Sequence, residues 1–370
     1  MTRELSGMPQ GRIVSVDVLR GFDMFWIIGG EELFRQLLRM INTPLTDSLA
    51  FQFEHSRWNG FTFYDLIFPL FLFVVGISLS IALGRRLDKG MDKRSLYIYI
   101  LKRFVLLMVL GLIYNGLFDL DFAHFRYAGV LQRIAICYLI TAVIFINTSR
   151  RVQYIIAGLI LVVYWGIMVF IPVPGFGAGV LTPEGNLAGY IDRLLLPGSF
   201  CCYGFGDNEG ILSTLPAITT TLLGVFTGYW LLNAMDATKK TLGLGIGGAG
   251  LVILGWIWGL FFPINKLFWS SSYVLFAAGW SVLLLALFYW IVDVRGMQRW
   301  AYPFVVIGLN PITIYVVQSQ FDFGSIAQIF IHGFVDYLGS FSVLFTIICV
   351  LIVKILFLHF LHKHKIYLRA

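Results

Sequence analysis

The chain has 370 residues, of which 58% are hydrophobic and 13% charged, with 27 Lys and Arg against 20 Asp and Glu and a net charge of +7. A soluble domain carries about a quarter charged residues, so this balance, with 34 Phe, 10 Trp and a mean hydropathy of +0.82, excludes an ordinary soluble protein and places the chain in a bilayer. The basic excess lies in short clusters between apolar runs, as topology signals do, which argues against nucleic acid as a partner.

A helix crossing the hydrocarbon core needs about 20 mostly apolar residues. Stretches near 13–30, 65–84, 97–118, 128–148, 152–171, 211–233, 242–262, 268–292, 301–320 and 341–361 approach that length. The expected fold is therefore all-α, a polytopic membrane helix bundle of about ten transmembrane helices, with residues 1–370 forming a single membrane domain. The N-terminus lacks the pattern of a cleaved signal peptide, so the first apolar segment is expected to be retained.

The cations set the orientation. With both termini cytoplasmic, the inner loops hold Arg85, Arg86, Lys89, Lys93, Arg94, Arg150, Arg151, Lys239, Lys240, Arg295 and Arg299, and the inner tail holds Lys363, Lys365 and Arg369. The outer loops hold fewer, namely Arg35, Arg39, Arg57, Arg126, Arg193 and Lys266. This puts two long connections outside, 31–64 and 172–210, and a shorter polar one at 321–340. Long loops are often functional. The second, rich in Gly and Pro, reads as irregular cover.

Charged groups inside spans are costly and are candidates for function. In the first span Asp17 and Arg20 are spaced to meet on one helical face, which also makes them a self-neutralising pair at the inner interface. Asp23 follows, and Glu31 and Glu32 close the run at Gly29-Gly30. A desolvated Glu31 at that break has the setting of a base with a raised pKa. The next outer loop delivers His55, Trp58, Asn59 and Asp65 to the second span. A histidine there suits acid–base or acyl-carrier chemistry, although interfacial histidines are commonly just solvated. Trp58 equally reads as an interface aromatic and Asp65 as a helix cap.

Gln132 and Arg133 lie inside the fourth span, where an Arg needs an anion or a carbonyl, and most often finds a structural one. Asp207 and Glu209 precede a helix N-terminus, where the dipole accounts for them. Asn310-Pro311 breaks the ninth span, lining a cavity or forming a tolerated kink. The glycines from Gly243 to Gly250 favour close helix packing. Four cysteines make no disulfide framework, since Cys137 and Cys349 lie in apolar runs and Cys201 and Cys202 are adjacent. The His and Cys residues show no metal-ligand spacing.

The block Ser15-Val16-Asp17-Val18-Leu19-Arg20-Gly21, then His55 with Trp58-Asn59-Gly60 and Asp65-Leu66-Ile67-Phe68-Pro69, resembles the heparan-α-glucosaminide N-acetyltransferase family of membrane acetyltransferases. Matching blocks continue at Gly129–Ala135, Glu209–Thr214, Pro263–Lys266 with Trp269, and Gly308–Pro311, running from the first span to the ninth. The resemblance implies transfer of an acetyl group from acetyl-CoA, across the membrane, to an amino sugar or glycan, with His55 as the catalytic residue.

The expected site then has His55 and Glu31 as catalytic groups, with Trp58, Asn59, Asp65, Gln132 and Asn310 around the acceptor. Arg20, Lys102, Arg103 and Arg133 are expected to draw the anionic end of acetyl-CoA, and no metal is expected. Exposed small-residue faces permit a homodimer, and the short N-terminal segment points to a bacterial plasma membrane. A secondary transporter or flippase for a sugar-containing or anionic substrate is the competing class, because intramembrane charges and a broken helix suit passage equally well.

Overall fold

The computed structural model describes residues 13–368, so the N-terminus, expected to be cytoplasmic, and Arg369 of the inner tail lie outside the described residues. The helices are α1 (Val14–Phe25), α2 (Glu31–Ile41), α3 (Pro44–Phe51), α4 (Ile67–Asp88), α5 (Lys93–Tyr114), α6 (Val130–Asn147), α7 (Arg150–Phe170) and α8 (Leu187–Leu195). They continue with α9 (Ile211–Leu232), α10 (Ala237–Gly259), α11 (Ser271–Phe288), α12 (Tyr302–Leu309), α13 (Pro311–Gln320), α14 (Phe323–Val335) and α15 (Ser342–Lys363).

The result is an all-α membrane-spanning bundle. Among the described residues, 8 helices are long and apolar enough to cross a membrane, or 9 if the pair α12–α13, bent by 70° at Asn310, counts as one. The remaining expected span is α1, a helix of 12 residues that carries Asp17, Arg20 and Asp23. It is still a core element, because Val18, Leu19, Asp23 and Ile28 are all shut off from solvent. A π-turn at Trp26–Gly30, with Gly29 at φ +129°, swings the chain out of α1 into the amphipathic α2.

The bundle is drawn together at glycine crossings. A Cβ on Gly76 of α4 would stand 2.0 Å from the Thr221 carbonyl oxygen of α9, and one on Gly224 would stand 2.0 Å from the Phe73 carbonyl oxygen. The same device joins α1 to α12, where Gly21 faces the Phe304 carbonyl and Gly308 faces that of Asp17. In the glycine-rich α10, Gly248 and Gly255 lie against α11, whereas a Cβ on Gly245, Gly247 or Gly250 of the run expected to pack closely would meet nothing. Backbones that touch leave no room for side chains, and dispersion contacts replace the hydrophobic effect that lipid cannot supply. α4 is the axis, with 83% of its apolar window buried.

The connections are more ordered than their composition suggests. Residues 321–340, expected as a polar loop, contain α14, which starts at an Asp322 cap and folds back through Gly339 against α15, bringing Phe323 to 5.9 Å from Phe357. Its Ile326, Ile329, Phe330 and Phe334 recur at helical spacing, a signal outweighed by the flanking Asp and Gly residues. The 172–210 connection holds α8, and the adjacent Cys201 and Cys202 are bonded to each other.

Candidate active site

The loop from Gln52 to Thr62 is tied at its base, where the Tyr64 amide donates to the Gln52 carbonyl at 3.0 Å. Its tip is tied to the connection before α11. There the Gly60 amide donates to the Ile264 carbonyl at 2.9 Å, and Asn265 Nδ2 donates to the Trp58 carbonyl at 2.9 Å and the Asn59 side chain at 3.1 Å. Asn265 also accepts from the amides of Leu267 and Phe268. These bonds bring two segments 211 residues apart together, and Lys266 arrives beside His55.

Asp65 is fully buried at the start of the α4 span. Its Oδ2 accepts from the Ser56 amide at 3.1 Å and the Thr62 amide at 3.2 Å, and its Oδ1 lies 2.9 Å from His55 Nδ1 and 3.5 Å from Lys266 Nζ. An ionised carboxylate only accepts, so a proton on Nδ1 suits Asp65 and leaves Nε2 as the basic nitrogen, with Lys266 Nζ 3.0 Å from Nδ1 and 3.4 Å from Nε2. The imidazole, 53% exposed, stacks on Tyr64 at 4.7 Å between centroids. Partial burial holds its pKa below the usual 6.5, opposed by the bond to Asp65 and reinforced by the Lys266 ammonium. Lys266 is itself buried, which lowers its pKa, while Asp65 and Glu209 pull it back up.

His55, Tyr64 and Lys266 border a cavity of about 290 Å³. Its walls are the stacked Tyr114 and Tyr315, 4.4 Å between centroids, the polar Asn208, Glu209 and Gln318, and apolar side chains from α1, α4, α6 and α13. Glu209 pairs with Arg126, which also forks onto Asp207 at 2.6 and 2.7 Å. A second cavity of about 200 Å³ lies toward the C-terminal tail and takes in Arg20, Ser78, Arg103 and Leu368. Phe71 and Ile312 border both cavities.

The structure brings some predicted residues together and parts others. His55 and Asp65 are joined, Asp65 being the partner of the imidazole as well as a helix cap. Glu31 is not the carboxylate on His55; it pairs with Arg35 at 3.6 Å, and burial raises its pKa against that pull. Trp58 donates to the Leu181 carbonyl at 2.8 Å and Asn59 accepts from Asn265, so both brace the loop and neither borders the cavity. Asn310 donates to the Ile366 carbonyl at 3.0 Å and holds the C-terminal tail, far from His55 in the bundle.

Arg20 and Arg103 share the tail-side cavity, with Arg20 bonded to Asp17 at 3.2 Å and Ser78 at 2.6 Å. Lys102 points away and is exposed. Gln132 and Arg133 border a third, separate cleft, and Arg133 donates to the Gly210 carbonyl and the Ser213 hydroxyl.

Comparison with known proteins bears on this arrangement. A family described as a domain of unknown function (DUF5009) matches residues 12–175. Human heparan-alpha-glucosaminide N-acetyltransferase is 30% identical over 87% of this chain, and the mouse protein of that name 32% identical over 83%. The chain belongs to the heparan-α-glucosaminide N-acetyltransferase-like family. It spans about half the length of the curated relatives it matches, 54% of each.

For this family member, several cavity residues escape a reading of the sequence. Lys266 is separated from His55 by most of the chain, and only the ties at Asn265 bring it in. Glu209 carries the mark of an ordinary helix-start carboxylate yet borders the cavity. Tyr114 and Tyr315 are two aromatics among many until α5 and α13 pack and stack them.

Proposed function

We propose that the protein moves an acetyl group from acetyl-CoA on the cytoplasmic side to the amine of an amino sugar or glycan on the other side. The observation that carries this is the His55–Asp65–Lys266 cluster on a cavity that shares Phe71 and Ile312 with a second cavity bordered by two arginines. The cation bias of the loops supports cytoplasmic termini, which puts Arg20 and Arg103 on the donor side.

The residues fit a thioester donor. Arg20 and Arg103 present planar donors suited to phosphate oxygens, and Arg103 Nε has no hydrogen-bond partner. A neck between Phe71 and Ile312 would admit a narrow, flexible arm and leave the thioester facing His55. Neutral His55 takes a proton from the attacking amine through Nε2 as nitrogen bonds to the thioester carbonyl carbon. Lys266 faces the developing oxyanion, a type of stabilisation contributing about 3 kcal/mol. The carbon–sulfur bond then breaks, and the imidazolium returns its proton to the thiolate, so amide and free thiol form with no net proton change. Asp65 holds the ring and stabilises its charged form.

The deciding experiment incubates purified protein with acetyl-CoA and glucosamine and follows thiol release and N-acetylglucosamine. Turnover that disappears in His55→Ala supports the reading, and a wild-type protein that releases no thiol refutes it. Intact mass after mixing with donor alone separates direct attack, with no added mass, from an acetyl-imidazole intermediate.

A further inference from the structure

A cleft of about 320 Å³ lies between α5, α6 and α9, distinct from the two cavities already described. Most of its wall is apolar, with Met108, Ile136 and Ile218 prominent. Ile140 and Ile211 at its rim are exposed on helices apolar enough to lie in hydrocarbon, so the cleft opens toward acyl chains.

Its polar end is built from Gln132 and Arg133, only 4% and 1% exposed. Gln132 Nε2 and Arg133 Nε and Nη1 have no hydrogen-bond partner. A buried donor without an acceptor costs about 1–3 kcal/mol, so these nitrogens call for acceptor oxygens from outside the chain. Glu209 borders both this cleft and the His55 cavity, so the two approach each other at that residue. A plain hydrocarbon tail leaves the donors unanswered. A free sugar leaves the apolar wall unanswered.

We infer that the cleft admits the acceptor sideways from the bilayer, and that the acceptor is an amphiphile, an amino sugar carried on a long apolar chain. The chain lies along Met108, Ile136 and Ile218. Oxygens at the junction of chain and sugar accept from Gln132 and Arg133, and the amine passes Glu209 to reach His55. This rests on the acetyl-transfer reading of the His55 cavity and adds the class of acceptor.

The test compares methyl and dodecyl β-glucosaminide as acceptors for the purified full chain in lipid nanodiscs with acetyl-CoA. The expected result is a kcat/KM about tenfold or more higher for the dodecyl compound, with that advantage erased in Ile136→Trp, which fills the cleft. Equal values for the two acceptors, or an advantage that survives Ile136→Trp, overturn the inference. A second measurement does not depend on the variant folding: a photoreactive dodecyl glucosaminide should label peptides of α5, α6 or α9 in the wild type. Label placed elsewhere, or label from a photoreactive phospholipid that dodecyl glucosaminide fails to displace, marks an ordinary lipid groove and also overturns it. If neither glucosaminide is acetylated, the acetyl-transfer reading fails, and the labelling still decides whether the cleft takes the amphiphile.

Discussion

Asp65 Oδ1 stands 2.9 Å from His55 Nδ1, while its other carboxylate oxygen is held by the amides of Ser56 and Thr62. A carboxylate fixed on three sides cannot turn away, so the imidazole is held with Nε2 turned away from Asp65, 3.4 Å from Lys266 Nζ. Asp65→Asn keeps the shape but offers an amide that can donate to Nδ1 and favour the wrong tautomer. It should lower kcat by about 10²–10⁴ with little change in KM, as His55→Ala should too. Steady-state kinetics on membranes normalised for protein content checks this, and a loss confined to KM would contradict it.

The charge neighbours of His55 fix the direction of its pH dependence. With the neutral ring as the proposed base, activity should fall as pH drops through its pKa, and burial with Lys266 nearby puts that fall below the usual imidazole value. Lys266→Met removes a cation and should move the acid limb to higher pH. Asp65→Asn removes the opposing carboxylate and should move it lower. A kcat/KM profile for each variant reads both shifts, and limbs that stay fixed would remove His55 as the titrating base.

The tail-side cavity separates two neighbouring cations. Arg103 borders it, and its guanidinium lies 4.4 Å from the Tyr138 ring, whereas Lys102 is exposed outside. A hydrogen bond to a charged group contributes about 1.5–3 kcal/mol, so Arg103→Ala should raise the KM for acetyl-CoA by about 10- to 150-fold. The KM for the acceptor should hardly move, and Lys102→Ala should leave both unchanged. Competition by CoA against acetyl-CoA gives the same information without turnover.

Phe71 and Ile312 are the residues common to the two cavities. Ile312→Trp narrows the neck and should cut turnover with acetyl-CoA by about tenfold or more. A short thioester such as S-acetyl-N-acetylcysteamine, supplied from the His55 side, bypasses the neck and should keep its rate. Equal losses with both donors would mean that the neck is not the donor route.

The bundle was readable in the sequence because apolar runs about a bilayer thick have few alternatives, and even the charged α1 was visible between them. His55 was readable because its loop carries a dense family motif. What the sequence hid was depth and partnership. Arg133 and Arg20 are both intramembrane cations in sequence, but they lie in separate cavities, a difference set by helix position along the membrane normal. Glu31 looked like the companion of His55 because it ends the first span on the same face. Asp65 holds that place because its loop closes over Thr62, a local turn with no apolar periodicity to announce it.

The glycine crossings give a stability prediction independent of chemistry. A Cβ on Gly76 would sit 2.0 Å from the Thr221 carbonyl oxygen and 3.0 Å from Gly224 Cα, whereas one on Gly84, two turns further along the same helix, would meet nothing within 4 Å. Neither substitution changes the charge, and both place a better helix former in an α-helical position. Gly76→Ala must push α4 and α9 apart along a buried seam, and overpacking of this kind typically costs about 1–3 kcal/mol. It should lower the thermal unfolding midpoint in detergent by several degrees, while Gly84→Ala leaves it level or raises it. Because Phe71, at the neck, is little more than one turn before Gly76 on α4, Gly76→Ala should also slow turnover with acetyl-CoA well below its unfolding temperature, and Gly84→Ala should not.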